Sequence, residues 1–149
     1  MKRIIKVLAA MSVGAAVAMT GGAAFAKPLS EAQWKKQANA VCKQVNKDFE
    51  ELNGELFAGL GEHEQPSAKQ VDAWVERFAP IVREAIASID ALNEPKALKS
   101  AVKKFEAAAS QAIEEIETDP SVAFSYEHDP FAKANKIAKK LGLKACANG

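Results

Sequence analysis

The sequence SEAQWKKQANAVCKQVNKDFEELNGEL, residues 30–56, carries the clearest structural pattern in this chain. Its apolar side chains recur at spacings of three and four, which places them along one face of an α-helix. This stripe consists of Trp34, Ala38, Val41, Val45, Phe49, Leu52 and Leu56. Ser30 and Gln33 match the capping box that begins such a helix. The pattern predicts a first amphipathic helix that ends at Gly59-Leu60-Gly61.

A second helix with the same apolar periodicity is predicted after a polar loop. Ser67 and Gln70 form another capping box, and the apolar stripe then runs from Val71 to Leu92. Pro80 lies inside this helix, where it removes a backbone donor. Because the stripe continues in phase beyond Pro80, we expect a kink there rather than a break.

Two further helices complete the pattern. The third is predicted to start at Pro95 and the fourth at Asp129-Pro130, since proline suits the first turn of a helix. Gly142 is placed as a left-handed C-cap of the fourth helix. Residues 121–128 are compatible with a short helix, a lid or a plain loop. Four amphipathic helices with short connections predict an all-α protein, an antiparallel four-helix bundle.

Residues 1–26 have the pattern of a secretory signal peptide. Three basic residues precede an apolar stretch, and Ala24-Phe25-Ala26 supplies the small residues that signal peptidase requires. We expect cleavage between Ala26 and Lys27, which leaves a secreted helical-bundle domain of residues 27–149 outside the cytoplasmic membrane. An uncleaved membrane anchor is the alternative, because the uncharged stretch before the cleavage site is about long enough to span a bilayer.

The charge balance limits the partners of the mature domain. The chain has 20 basic and 19 acidic residues, and the signal segment holds three of the basic ones, so the mature domain is close to neutral with an acidic excess of two. Nucleic-acid binding needs a basic surface, and so does attachment to an anionic membrane surface. We therefore expect no nucleic-acid partner and no stable membrane insertion after cleavage.

The mature domain contains two cysteines, Cys42 and Cys146. In an oxidising compartment the simplest interpretation is one disulfide, which ties the middle of the first helix to the segment after the fourth. The first and last helices of an up-down bundle are neighbours, so the pairing fits the predicted fold. A redox or metal-binding pair is the alternative, but the Cys-x-x-Cys spacing is absent.

Two polar clusters are candidate metal sites. His63 lies in Glu62-His63-Glu64 and His128 lies in Glu127-His128-Asp129, both at helix ends. An up-down bundle would bring the two loops to the same end, so a shared site is possible. Solvated loops are the favoured interpretation, and we predict no metal and no cofactor. Catalytic motifs are also lacking, and the prediction is a protein that is not an enzyme.

Three pieces of the mature domain resemble a group of small secreted or lipid-anchored helical proteins from actinobacteria. The pieces are Trp34-Lys35-Lys36-Gln37-Ala38-Asn39-Ala40-Val41-Cys42 with Asn46, then Ile89-Asp90-Ala91-Leu92-Asn93-Glu94-Pro95, and Asp129-Pro130-Phe131 leading to Leu141-Gly142-Leu143 and Cys146. The group has a paired N- and C-terminal cysteine and no established activity. The resemblance implies an extracellular or cell-envelope location and a Cys42–Cys146 pairing. The chain departs from the lipid-anchored members because no cysteine begins its mature part.

The sequence favours a non-catalytic module that binds an unknown envelope or extracellular protein. The alternative is a carrier that holds a small apolar, lipid-like ligand within the bundle. The aromatic residues on the stripes are expected to pack in the core, and alanines 107–109 would allow either close helix packing or an internal space. An enzyme that uses loop carboxylates and His128 is the third and least favoured possibility.

Overall fold

The computed structural model describes residues 28–61, 64–125 and 127–147. The described chain is helical, and none of these residues lies in a β-strand. The elements are α1 (Glu31–Phe57), α2 (Ala68–Asp90), α3 (Lys99–Thr118), a 3-10 helix (Pro120–Phe124) and α4 (Ala132–Leu141). Consecutive helices pack against each other, and short loops join them. The protein is therefore the antiparallel four-helix bundle that the sequence predicts. The predicted signal peptide, with Ala26 and Lys27, lies outside the described residues.

The predicted helix caps are present. The Ser30 hydroxyl accepts a hydrogen bond from the Gln33 backbone N–H at 3.3 Å, and the Gln33 side chain accepts one from the Ser30 N–H at 3.1 Å. Ser67 and Gln70 repeat this capping box at the start of α2. Gly142 ends α4 with a φ of 76°, the left-handed conformation predicted for it. These five residues mark one end of each of three helices by satisfying backbone groups that helix ends leave free.

The starts of α3 and α4 differ from the prediction. The α-helices begin at Lys99 and Ala132 rather than at Pro95 and Asp129-Pro130. Each proline lies in a tight turn that precedes the helix: Leu98 N donates to Pro95 O at 2.8 Å, and Ala132 N donates to Asp129 O at 3.0 Å. Such i→i+3 turns are common at helix N-termini. The two prolines therefore mark the preceding turn and not the first α-helical residue.

The structure also shows what the 121–128 connector and the region around Pro80 form. Part of the 121–128 connector belongs to the 3-10 helix, whose start Asp119 caps by accepting a hydrogen bond from Ser121 N at 3.1 Å. Helix α2 continues through Pro80, which lies on its exposed side, so the expectation that the helix does not break is confirmed. The connector therefore adds a short helix after α3, and Pro80 leaves α2 continuous.

The core consists of two clusters of buried side chains. The tail cluster takes its name from residues after α4 and comprises Trp34, Ala38, Cys42, Ile89, Val102, Phe105, Ala108, Ala109, Ala134, Ala138, Leu141, Leu143 and Ala147. The aromatic cluster lies at the other end and comprises Leu52, Leu56, Trp74, Val75, Phe78, Ala79, Val82, Ile113 and Ile116. Ile86 and Phe131 pack against both clusters. They mark a seam across the middle of the bundle.

Candidate functional site

A cavity of about 90 Å³ lies at the seam between the two clusters. All four helices and the segment after α4 contribute to its wall. The lining residues are Cys42, Val45, Asn46, Phe49, Val82, Ala85, Ile86, Ile89, Phe105, Ala109, Phe131, Ala134, Asn135 and Cys146. The space opens toward solvent, and its wall is almost wholly apolar and is built from every helix of the bundle. It is therefore the strongest candidate site in the described part of the chain.

Small side chains explain why the cavity is there. Ala85 on α2, Ala109 on α3 and Ala134 on α4 all line it, and none of them reaches across the space. Ala109 and Ala134 are almost fully buried, at positions where a larger apolar side chain would also be shielded from solvent. The sequence suggested that alanines 107–109 could leave a space. Of these, only Ala109 lines the cavity, while Ala108 packs in the tail cluster.

Aromatic rings form one wall of the cavity and are held from behind. Phe49 stacks on Phe78 with ring centroids 4.6 Å apart, and Phe131 meets Phe78 edge-on at 6.0 Å. Phe78 in turn stacks on Trp74 at 4.4 Å. Aromatic pairs in these geometries add to the stability gained from burial. The aromatic cluster therefore fixes Phe49 and Phe131, two of the three rings that line the cavity.

Two asparagines supply the polar part of the lining. Asn46 Nδ2 donates to the Ala145 carbonyl at 3.0 Å, which leaves Oδ1 without a hydrogen bond to the described residues. Asn135 is half-buried, and its side chain has no hydrogen bond within the described ranges. The two cysteines of the wall are bonded to each other, and among the residues described no lining side chain is titratable. The site is therefore apolar and uncharged, with free amide groups.

The disulfide closes one side of the site. Cys42 and Cys146 are joined with an S–S distance of 2.01 Å, as the sequence predicts. Asn39 supports the same contact, since its Nδ2 donates to Gly142 O at 3.2 Å and its Oδ1 accepts from Ala145 N at 2.9 Å.

The sequence did not predict a role for Asn39, Asn46 or Asn135 at this site. The spacing of three and four that joins Asn39 and Asn46 to Cys42 was the available signal, because it puts all three on one helix face.

Of the two candidate metal sites, the polar cluster around His128 does not line the cavity. His128 Nε2 lies 2.6 Å from Glu115 Oε1, and both side chains are exposed. His63 and Glu62 lie outside the described residues, so the shared site with His128 has no structural account. Within the described ranges, no group of three or more His, Cys, Asp or Glu side chains is arranged to hold a metal ion. His128 is thus hydrogen-bonded to Glu115 at the surface.

The acidic run of residues 114–117 on α3 is also engaged at the surface. Glu117 receives two hydrogen bonds from Arg83 on α2, at 2.8 and 2.5 Å. The hydrogen bond from Arg83 lowers the pKa of the Glu117 carboxyl below its usual value. Arg77 likewise lowers the pKa of Glu55 on α1 by a hydrogen bond, and both carboxyls lie at the surface. Exposed pairs of this kind contribute little to stability, so these charges mainly keep the outer faces solvated.

No protein-family model matches the chain, and no curated protein and no solved structure matches it either. Within the described ranges, no helix has the length and apolar character needed to cross a bilayer. The cavity, its uncharged lining and its disulfide wall are therefore the observations from which a function is inferred.

Proposed function

We propose that the protein binds a small apolar ligand between the helices of its bundle, without catalysis. The observation that carries this proposal is the cavity at the seam, which has ten apolar lining side chains, two asparagines and a disulfide. The sequence favours a protein-interaction module and keeps a ligand carrier as the alternative. The cavity reverses that order, because ligand sites in helical bundles are built between helices from such side chains.

The apolar lining of the open cavity supports the proposal. Ten apolar side chains line the space, and because it opens toward solvent they stay in contact with water when it is empty. A larger side chain at Ala85 would occupy the space with an ordinary apolar residue. A bound ligand would remove this apolar surface from water.

We place this activity outside the cytoplasmic membrane, in the cell envelope or the extracellular space. The predicted signal segment supports this location, and so does the disulfide. Disulfides persist in oxidising compartments and are rare in the cytosol. A carrier in such a compartment would take up its ligand from the surrounding fluid or from another protein.

Mass spectrometry of the protein secreted by its own host tests the proposal. We expect the native mass to exceed the denatured mass by one discrete small-molecule increment. Ala85→Leu fills the cavity and should remove this increment. Ala87→Leu is the matched control, because Ala87 is exposed on the same helix and does not line the cavity. A bare native protein in both the parent and the control would contradict the proposal.

Protein interaction remains the second candidate function, and one observation favours it. Phe57 is 46% exposed, and no other large hydrophobic side chain in the described ranges is exposed. Its ring lies edge-on to Phe124 with centroids 6.3 Å apart, so the two form a small apolar surface at one end of the bundle. Crosslinking in the envelope separates the candidates. Phe57→Ser should abolish a crosslinked partner, whereas Ala85→Leu should leave it in place.

A further inference from the structure

We propose that the ligand is a compact, neutral ring compound with one hydrogen-bond donor, of the phenol class, and not a long-chain lipid. This inference rests on the proposed function and specifies the chemistry that the cavity selects. It follows from four properties of the wall: its volume, its rings, its lack of charge and the orientation of one amide.

The volume sets the size of the ligand. An engineered apolar cavity of roughly 150 Å³ in another protein binds benzene. The cavity at the seam is smaller, about 90 Å³, and it opens toward solvent. The space therefore admits at most one ring, and any further substituent of the ligand would lie in the opening. An acyl chain would leave most of its apolar surface in water, and it would gain little from the site.

The shape and chemistry of the wall favour a ring. Phe49, Phe105 and Phe131 line the cavity, and Phe78 holds the first and last of these from behind. Aromatic rings prefer offset-stacked or edge-to-face neighbours, which a flat ligand can provide. A planar ligand can therefore contact several fixed rings at once.

The absence of charge in the wall requires a neutral ligand. No Lys, Arg or His is among the residues that line the cavity in the described ranges. A carboxylate transferred into an apolar site without a cationic partner loses its hydration and gains no compensation. Fatty-acid anions and benzoate whose carboxylate enters the site beside Asn46 are therefore excluded, while their neutral analogues are admitted.

The orientation of the Asn46 side-chain amide explains why the ligand needs a hydrogen-bond donor. Its Nδ2 donates to the Ala145 carbonyl at 3.0 Å. The reversed amide would bring two oxygens to that distance, so the observed orientation is the favoured one. Oδ1 is then the free acceptor of Asn46, a residue that lines the cavity, and it is not among the buried unpaired side-chain atoms of the described ranges. A ligand that covers Oδ1 displaces the solvent there. A ligand hydroxyl that donates to Oδ1 replaces that hydrogen bond, whereas a ligand with no donor leaves Oδ1 unpaired.

Titration of the disulfide-bonded mature protein tests this selection. The probes are p-cresol, 4-methylanisole, toluene and benzoate, and binding is followed by NMR shifts of the Ile86 and Val82 methyl groups. We expect p-cresol to bind roughly tenfold more tightly than 4-methylanisole or toluene, and benzoate not to bind. The cresol–anisole comparison needs no variant, so it holds even where a substitution impairs folding.

Two matched variants test the role of Asn46. Asn46→Leu should reduce the preference for p-cresol over 4-methylanisole to less than twofold, whereas Asn135→Leu, at the same cavity, should retain it. Loss of the preference only in Asn135→Leu would overturn the assignment to Asn46. Melting curves of both variants show whether the fold is retained.

The outcomes distinguish this inference from the proposed function. Equal affinities for p-cresol, 4-methylanisole and toluene would overturn the donor requirement and leave ligand binding intact. A chain lipid found in the native protein, with no binding of the ring probes, would overturn the ligand class alone. No probe binding together with a bare native protein would overturn both.

Discussion

Asn39 and Asn46 hold the same residue, Ala145, by its two backbone groups. The Asn39 side-chain oxygen accepts from the Ala145 N–H at 2.9 Å, and the Asn46 side-chain nitrogen donates to the Ala145 carbonyl at 3.0 Å. The two asparagines are seven residues apart, about two helical turns, so they share one face of α1. Cys42 lies between them and bonds to Cys146. The segment after α4 is therefore fixed to α1 by a covalent bond with polar contacts on either side.

The asparagine contacts predict a graded loss of stability. Asn39→Ala removes hydrogen bonds to Gly142 and Ala145 and should lower the free energy of unfolding by about 1–3 kcal/mol. Asn46→Ala removes one such bond and should cost less. Urea unfolding with the disulfide intact measures both changes. Gln37→Ala is the control, because Gln37 is exposed on the same helix. An Asn39 variant as stable as this control would contradict the assigned role.

Reduction of the disulfide should have a larger effect. Cys42 and Cys146 are 104 positions apart, and closing so long a loop contributes about 4–5 kcal/mol in the chain-entropy model. We expect complete reduction to lower the melting temperature strongly and to weaken binding at the cavity, whose wall contains both cysteines. The double variant Cys42→Ala/Cys146→Ala should match the reduced protein and should not respond to reductant. Unchanged melting after reduction would show that the bond is not stabilising.

Two glycines predict opposite effects of the same substitution. Gly142 has a φ of 76°, which an L-residue adopts only with strain, so Gly142→Ala should destabilise the protein by about 1 kcal/mol. Gly54 lies inside α1, and an added Cβ there would meet nothing within 4 Å. Gly54→Ala should therefore stabilise by about 0.5–1 kcal/mol through helix propensity. Thermal melts of the two variants provide the comparison, and shifts of the same sign would refute it.

Glu106 predicts a pH dependence of stability. Burial raises the pKa of its carboxyl, with repulsion from Asp90 and Glu94 adding to the rise and Lys103 opposing it. Its Oε1 is buried and has no hydrogen bond within the described ranges. A pKa that is higher in the folded state means that ionised Glu106 destabilises the fold above that pKa. The effect disappears below the unfolded pKa of about 4.3, where both states are protonated.

Glu106→Gln should therefore be more stable than the parent at pH 7. The difference should shrink as the pH falls through the folded pKa and vanish below the unfolded one. Urea unfolding across this pH range measures the trend, and Glu76→Gln on the exposed face of α2 serves as control. A gain that stays constant down to acidic pH would exclude ionisation of Glu106 as its cause.

Most of the fold was predictable because its determinants are local. Periodicity located the stripes, and Ser30, Ser67 and Gly142 marked helix ends through bonds to nearby backbone. The start of α3 was predicted too early, since Pro95 fixes its own φ but not whether the next hydrogen bonds are of the 3-10 or α type. Proline therefore showed that a helix was near, and only the structure showed where it begins.

The candidate site was less predictable because it depends on distant residues. Ala85, Ala109 and Ala134 come from three helices, and a cavity arises only when no larger side chain fills the space between them. The sequence shows which residues are small, but it does not show that these three lie at the same height along the bundle. Phe49 and Phe131 were expected in the core, and they are partly buried there and also line the cavity. A side chain's place on a helix face was predictable, and its neighbour across the bundle was not.

The bond between Cys42 and Cys146 also makes most of the domain a covalent ring, with 103 residues between the two cysteines. A protease that cuts one peptide bond in an exposed loop, such as the stretch around Gln65, opens the ring but releases nothing. The nicked molecule keeps its full mass plus one water, and its two pieces separate only after reduction. Two cuts inside the ring are needed to free a fragment. A protein built in this way tolerates a single cut inside the ring without losing any part of its chain.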